Sequence, residues 1–337
     1  MKKRPVSMLD VAAHSGVSHQ TVSRVLNNHV HVSQKTRAKV LEAMTSLGYA
    51  PNLAARALSN GKTTTIGVLS YDSALFGPAT RLHAVQRAAR DIGYAVTLAT
   101  TKGVDESTVA NGIQELIHSG VDGIILITPL TGGSVLKAEV LGGIPCVTVV
   151  GDILKDTPSV NVDQLLGAKK AVDYLISLGH KNIGHISGPK TWYEASERRE
   201  GWRKALEGAG LAKGPLIYGD WSAESGYQAI KAIIKKGDTT AVFVANDAMA
   251  LGVLKALSEL RIKVPQHMSV VGFDDIPEAE FLIPGLTTIR QDFVEVGKRS
   301  VELLMDLIGK KERDSYQIAI KPELIVRMST SSPSSSR

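Results

Sequence analysis

At 337 residues the chain has room for two or three domains, and 43% hydrophobic with 21% charged residues is an ordinary globular composition. No run reaches the ~18–20 apolar residues of a membrane span, no apolar segment follows Lys2-Lys3-Arg4 as it would in a signal peptide, and the single Cys146 excludes an internal disulfide. A cytoplasmic location is therefore expected. The net charge of +6 is concentrated at one end, because residues 1–60 hold eight Lys/Arg against two acids and the rest of the chain balances to zero. A basic end on a neutral body points to a polyanion partner for that end alone.

The first elements are three short helices within residues 7–48. Ser7 with Asp10 reads as a capping box for the first helix. Gly16 suits a tight turn, and Ser18 is a ready N-cap for the second. Leu9, Ala12, Ala13, Val17, Val22 and Val25 are expected to share a small core. The second helix then turns His19, Gln20, Ser23, Arg24 and Asn27 outward, all groups that bond to base edges and phosphates. This is a helix-turn-helix whose second helix is shaped for a major groove. Ser33 caps a third helix over 34–47, with Val40, Leu41, Met44 and Leu47 as its apolar stripe, and Gly48 ends it. Leu53–Leu58 is helix-prone but only about two turns long, so marginal alone. Residues 59–65 form a linker. His14, His29 and His31 do not make a metal site, because no Cys or carboxylate completes a tetrahedral set.

From residue 65 short β-branched runs alternate with amphipathic helices. Strands are expected at 65–70, 94–99, 122–127, 144–150, 183–187, 241–245 and 269–273. Helices are expected near 79–92, 107–119, 164–178, 196–209, 224–236, 247–260 and 293–308. Such alternation means parallel sheets with helices on both faces. The pattern repeats in two halves with a break near 151–163, giving two doubly wound subdomains. Ligands in such sheets bind at the carboxyl ends of the strands, and two facing sheets make a cleft. Cys146, inside the apolar run 144–150, reads as a buried small hydrophobe. The Ser-rich stretch 329–337 reads as a disordered tail.

Several motifs in this order resemble LacI/GalR-type transcriptional regulators over about residues 6–328. They are Leu9-Asp10-Val11-Ala12, Gly16-Val17-Ser18-His19-Gln20-Thr21-Val22-Ser23-Arg24-Val25, Gly48-Tyr49-Ala50-Pro51-Asn52 and Ile66-Gly67-Val68. Further along come Gly179-His180-Lys181-Asn182-Ile183, Ala245-Asn246-Asp247, Val271-Gly272-Phe273-Asp274-Asp275 and Leu286-Thr287-Thr288-Ile289-Arg290-Gln291-Asp292. The resemblance implies an all-α helix-turn-helix DNA-binding head plus an α/β body of two doubly wound subdomains, like the periplasmic binding proteins. The expected boundaries are 1–50 for the head, 51–64 for a hinge helix and linker, and 65–328 for the ligand-binding and dimerisation body. Within the body, 65–162 joins 291–320 and 163–290 joins 321–328, with the tail at 329–337. It also implies a homodimer on a pseudo-palindromic double-stranded DNA operator, a small sugar effector, no enzyme activity, no cofactor, no metal and no membrane.

By the same resemblance, His19, Gln20 and Arg24 are the base readers. Arg can hold guanine and Gln adenine bidentately. The member that this chain resembles in most detail has tyrosine at the position of His19. Thr21, Ser23, Ser33, Lys35 and Thr36 are candidates for phosphate contacts, with Asn27 and Asn52 as further DNA contacts. Leu58 matches a lever residue that wedges into the minor groove.

In the cleft, the resemblance assigns Asp152, Arg198, Asn246 and Asp274 to sugar hydroxyls and Trp221 to the apolar face of a pyranose. Gln291 is a cross-cleft polar contact and Phe293 an apolar wall, with Leu75 and Pro78 on the aglycone side. Carboxylates and a guanidinium suit vicinal hydroxyls, and an aromatic face suits C–H groups. Trp192 belongs to core or cleft rim. Ile127, Tyr71 and Asp72 depart from the family pattern near the cleft. A galactoside-like inducer is the expected effector, with another saccharide or a purine corepressor as alternatives. Trp221 favours sugar, since a purine sensor would place its stacking aromatics near 71–76. The chain lacks a leucine-heptad helix after residue 328, which predicts a dimer rather than a tetramer, paired through helices near 79–92, 107–119 and 247–260. Two other classes fit worse. A transporter's solute-binding protein would need a signal peptide and no basic head. Asp152 with Asp274 as a glycosidase pair would leave the head without purpose.

Overall fold

The computed structural model describes residues 4, 6–26, 29, 31–49, 62–103, 105–128, 138–150 and 157–334. It divides into two compact units, Met1–Thr63 and Thr64–Arg337. Asn27, Asn52, Leu58 and Asp152 lie outside the described residues, as does the expected hinge helix.

The first unit contains α1 (Met8–Ser15), α2 (His19–Leu26) and α3 (Gln34–Leu47). Ser7 and Asp10 form a reciprocal capping box, and Gly16 takes the left-handed conformation (φ 65°) that ends α1. The core is Val11, Ala12, Val22, Val25, Val40 and Ala43. Three expected core residues are corrected. Leu9 is 66% exposed and Leu41 49% exposed, and Ala13 also faces outward. In a helix of eight residues only one narrow face meets its neighbours, and Val11-Ala12 occupies it.

The second unit has two lobes. The first is a six-stranded parallel sheet in the order β11-β5-β4-β3-β1-β2. Its strands are β1 (Thr65–Tyr71), β2 (Ala95–Thr101), β3 (Gly123–Ile127), β4 (Cys146–Thr148), β5 (Ser159–Val162) and β11 (Gln317–Ile320). Helices α4 (Phe76–Asp91), α5 (Glu106–His118), α6 (Ala138–Leu141) and α11 (Phe293–Ile308) belong to this lobe. The second lobe is a four-stranded parallel sheet, β7-β6-β8-β9, from β6 (Ile183–Ser187), β7 (Leu216–Tyr218), β8 (Ala241–Val244) and β9 (Ser269–Val271). It carries α7 (Gln164–Ser177), α8 (Tyr193–Gly208), α9 (Ala223–Ile234) and α10 (Asp247–Glu259), a 3-10 turn at Pro277–Phe281, and an antiparallel pair of β10 (Thr288–Arg290) with β12 (Glu323–Ile325).

The central strands of both sheets are buried on both faces, which is why they read as continuous apolar runs. The side-chain period of two divides each strand between two cores. On β3, Ile125 and Ile127 join one cluster and Ile124 and Leu126 the other. On β8, Val242 and Val244 part from Ala241 and Phe243 in the same way. Cys146 is buried, and burial pushes its thiol up to about 12. The chain crosses between the lobes three times, after β5, after β10 and between β11 and β12.

The apolar residues Val109, Ile113 and Leu116 of α5 are buried within its own lobe. Two further expectations are corrected. The break near 151–163 contains the buried strand β5 at Ser159–Val162. The stretch from 329 is not a loose tail where it is described. Ser329 is fully buried and its hydroxyl donates to Val270 O at 2.6 Å. The Ser331 amide donates to Ser269 Oγ at 3.1 Å, and Ser331 O lies 2.9 Å from His180 Nε2. Serine hydroxyls here supplement the backbone bond from Val270 N to Ser329 O at 2.9 Å.

Candidate functional site

On the head, α2 buries Val22 and Val25, three residues apart, and this turns His19, Gln20 and Arg24 to solvent. Thr21 and Ser23 are half-buried at its sides. The Thr21 amide donates to Ser18 Oγ at 3.2 Å, and the two hydroxyls lie 2.9 Å apart. Ser33 repeats the arrangement at the start of α3, accepting from the Thr36 amide at 3.2 Å with its hydroxyl 2.9 Å from that of Thr36. Two helix N-termini therefore each present a Ser–Thr hydroxyl pair together with backbone amides, a combination suited to phosphate oxygens. Lys35 is exposed beside the second. Arg37 serves the fold instead, donating to Val25 O and His29 O at 3.2 Å each.

The body's site lies between the lobes at the carboxyl ends of the strands, as parallel sheets dictate. Leu75 and Pro78 follow β1, Trp221 follows β7, Asn246 follows β8, Asp274 follows β9 and Gln291 follows β10. These six and Arg198 line one cavity, together with Phe76, Gly77, Arg81, Trp192 and Glu194. Phe293 stands against it, with its ring 6.0 Å from that of Phe76. Ile127 is buried in the core of the first lobe, and Asp72 is exposed. Tyr71 meets the Trp192 ring edge-on at 5.4 Å. The sequence missed Arg81, Glu194 and Gln164. Glu194 was signalled, since it stands four residues before Arg198 on one helix face.

Arg198 sits at the centre, 3% exposed. Its Nε donates to Gln164 Oε1 at 2.8 Å and its Nη1 to Ala245 O. Its Nη2 lies 3.6 Å from Asp274 Oδ1, and its guanidinium lies 3.8 Å from the Phe273 ring centroid and 5.6 Å from the Trp221 ring centroid. Gln291 Nε2 donates to Asp274 Oδ1 at 2.6 Å, and Gln164 Nε2 donates to Gln291 Oε1 at 2.9 Å. Burial lowers the Arg198 pKa, while Asp274 and Glu194 raise it. Burial pushes Asp274 up to about 6, against the pull of Arg198, Arg81 and the Gln291 hydrogen bond. Asp247, at the first position of α10, is pushed to about 8 by burial and by Asp274, although the Thr288 hydroxyl and the Ile276 amide donate to it.

The aromatic wall is held by strain. Trp221 has φ +75° and Asp274 φ +119°, conformations that cost a non-glycine residue on the order of 1–3 kcal/mol. Asn246 fixes Trp221 by donating Nδ2 to its carbonyl at 3.1 Å while its Oδ1 caps α10 through the Met249 amide at 2.9 Å. The ring lies over Gly188, where a Cβ would stand 2.2 Å from Trp221 Cζ2. The free space in the cavity is about 30 Å³, below the ~300–1,000 Å³ of small-molecule sites, so in this conformation the side chains fill most of the cleft.

The family described as "Bacterial regulatory proteins, lacI family" matches residues 7–52, and the "Periplasmic binding protein-like domain" matches residues 172–330. The chain is 34% identical over 334 residues to the lactose operon repressor of Escherichia coli K12, covering 98% of this chain and 92% of that one. It is 36% identical to the transcriptional repressor PurR of Pasteurella multocida, covering 96% and 98%, and 35% identical to the ribose operon repressor of E. coli K12, covering 95% and 98%. Among solved structures, the lac repressor dimer bound to operator and the anti-inducer ONPF superposes with a TM-score of 0.88, at 33% identity, over 97% of this chain and 100% of that one. The complex of the transcriptional regulator CelR with cellobiose gives 0.71 at 30% identity, over 97% and 100%.

Proposed function

Because the chain belongs to the lacI family of bacterial regulatory proteins and is a transcriptional repressor of that kind, we propose that it binds a pseudo-palindromic DNA operator as a homodimer and releases it when a small galactoside-like sugar enters the interlobe cleft. The observation that carries the sugar reading is the cleft's chemistry. A buried guanidinium, a carboxylate and two carboxamides are joined in one hydrogen-bonded set beside an indole face. Hydroxyls both donate and accept, so a saccharide can replace each bond that it displaces, and the Trp221 face covers apolar ring C–H groups. One structural relative, the transcriptional regulator CelR, is in complex with the disaccharide cellobiose.

In this mechanism His19, Gln20 and Arg24 read bases, and the hydroxyl pairs Ser18–Thr21 and Ser33–Thr36 hold phosphates. Exposed Phe281 and Ile283, at 77% and 98%, supply apolar surface for the second copy. A ligand that binds one cleft state better than the other shifts the population away from the DNA-holding state, and about 1.4 kcal/mol of coupling gives a tenfold change in operator affinity. The test is binding of full-length protein to its own upstream DNA by fluorescence anisotropy, with a panel of mono- and disaccharides added. Release by at least one sugar is expected. If no sugar changes operator affinity and a purine base strengthens it, the sugar reading fails in favour of a purine corepressor.

A further inference from the structure

One pair in the cleft is not explained by recognition of a single pyranose. Arg81, on α4 of the first lobe, donates Nη1 to Glu194 Oε1, on α8 of the second, at 3.0 Å. Their side chains are only 5% and 7% exposed. This is an ion pair between lobes, and it lies beside Leu75 and Pro78, where only apolar contacts to an aglycone were expected. Among the described residues Arg81 makes no other side-chain hydrogen bond, and its guanidinium rests on Phe293, 5.2 Å from the ring centroid. Glu194 Oε2 and Trp221 Nε1 are both buried, both belong to cavity-lining residues, and neither has a hydrogen-bond partner. Native buried polar atoms are nearly always paired, so these two orphans are open to hydrogen bonds from a guest in the cleft.

We propose that the Arg81–Glu194 end of the cleft is a second saccharide subsite, so that the effector is a neutral disaccharide rather than a monosaccharide or a simple alkyl glycoside. The subsite presupposes the sugar-binding cleft proposed above. When the lobes part to admit a ligand, the ion pair must break, and leaving either charge buried and alone is strongly unfavourable. An alkyl aglycone supplies neither a donor nor an acceptor. A vicinal diol supplies both, since its hydroxyls donate to the two oxygens of Glu194 and accept from Arg81. Trp192 adds an aromatic surface, its ring 5.6 Å from Trp221 and at 65° to it, so that two sugar rings can each meet an indole. Among the described residues the charges lining the cavity balance, with Arg81 and Arg198 against Glu194 and Asp274. A neutral ligand keeps that balance, and a phosphorylated or carboxylated sugar does not.

The experiment is isothermal titration of full-length protein with lactose, melibiose, cellobiose and maltose, each against the methyl glycoside of its non-reducing hexose. At least one disaccharide should bind about tenfold or more tightly than its methyl glycoside, given two charge-assisted contacts. The Arg81→Met/Glu194→Gln double variant, which removes both charges together and so leaves none unpaired, should bring the two within about threefold. Its thermal unfolding midpoint reports that it is folded. Equal binding of disaccharide and methyl glycoside by wild type, or a preference that survives in the folded double variant, overturns the subsite and leaves the sugar reading standing. Failure of every saccharide to bind overturns both. If the double variant does not fold, Glu194→Gln alone decides between the same two outcomes.

Discussion

Gly188→Ala tests how the aromatic wall is seated. A Cβ at that position would stand 2.2, 2.3 and 2.6 Å from Trp221 Cζ2, Cη2 and Cε2. Carbon atoms rest at about 3.5–4.0 Å, so the indole must withdraw by more than ~1 Å. It has little room to do so. The ring is 5% exposed, its edge meets Trp192 at 5.6 Å and the Arg198 guanidinium lies 5.6 Å from its centroid. Its backbone is pinned by the Asn246 hydrogen bond at 3.1 Å. Overpacking of this kind costs about 1–3 kcal/mol, and each kcal/mol lowers Tm by roughly 2–4 °C in a domain of about this size. The displaced ring also leaves the sugar face uncovered, so effector affinity should fall about tenfold or more. Operator affinity without sugar should stay within about twofold of wild type, which makes the variant a repressor that cannot be induced. Scanning calorimetry, sugar titration and operator anisotropy on the same preparation read all three quantities. Gly208→Ala is the control, since a Cβ there meets nothing within 4 Å. Gly188→Ala with wild-type Tm and wild-type sugar affinity would refute the seat assigned to Trp221.

Three other substitutions separate head from body. Arg24→Ala should erase about 1–3 kcal/mol of discrimination between operator and mutated operator and leave sugar affinity unchanged, measured by anisotropy and titration. A parallel loss of sugar binding would contradict the division of labour. Ser33→Ala removes the α3 cap and should destabilise the head by about 1 kcal/mol in urea. A shallower salt dependence of DNA binding in the same variant would identify Ser33 as a phosphate contact as well. Asp247 carries a raised pKa of about 8 against an ordinary 3.8, so the folded protein holds a proton that the unfolded chain has lost between those values. Its contribution makes stability fall as pH rises from about 4 to about 8. Asp247→Asn should flatten that part of the Tm–pH profile, and an unchanged slope would show that Asp247 is ionised in the folded protein.

Much of the molecule is legible in its sequence because parallel sheets leave long, doubly buried apolar runs. The run 122–127 became β3 at Gly123–Ile127, and 183–187 became β6 over the same residues. Strands that are short or lie at an edge escaped. Leu216–Tyr218, Gln317–Ile320 and Glu323–Ile325 are only partly buried, and three or four residues carry too little pattern to separate from loop. The head's helix ends were clear because Ser7, Gly16, Ser33 and Gly48 are all local signals. Leu9 and Leu41 misled because a short amphipathic helix does not reveal which apolar residue its neighbours will cover. In the cleft, Arg198, Trp221, Asn246, Asp274 and Gln291 come together from five separate segments. The Arg81–Glu194 contact joins residues 113 positions apart, and no local pattern announces a partner at that range. Ser329–Ser331 looked disordered because serine composition does not show that its hydroxyls will find Val270 O and Ser269 Oγ.

The crossings between the lobes have a mechanical consequence. Gln164 follows directly on the first crossing and Gln291 lies in the second, and their carboxamides are joined at 2.9 Å. Two of the three crossings are thus pinned together by the same amides that meet Asp274 and Arg198. A molecule that competes for either amide would loosen the pin as it binds. Widening the cleft for a larger guest would therefore retune the swing of the lobes as well as the choice of guest. Variants that change ligand preference at Gln291 should be inseparable from variants that change the opening angle.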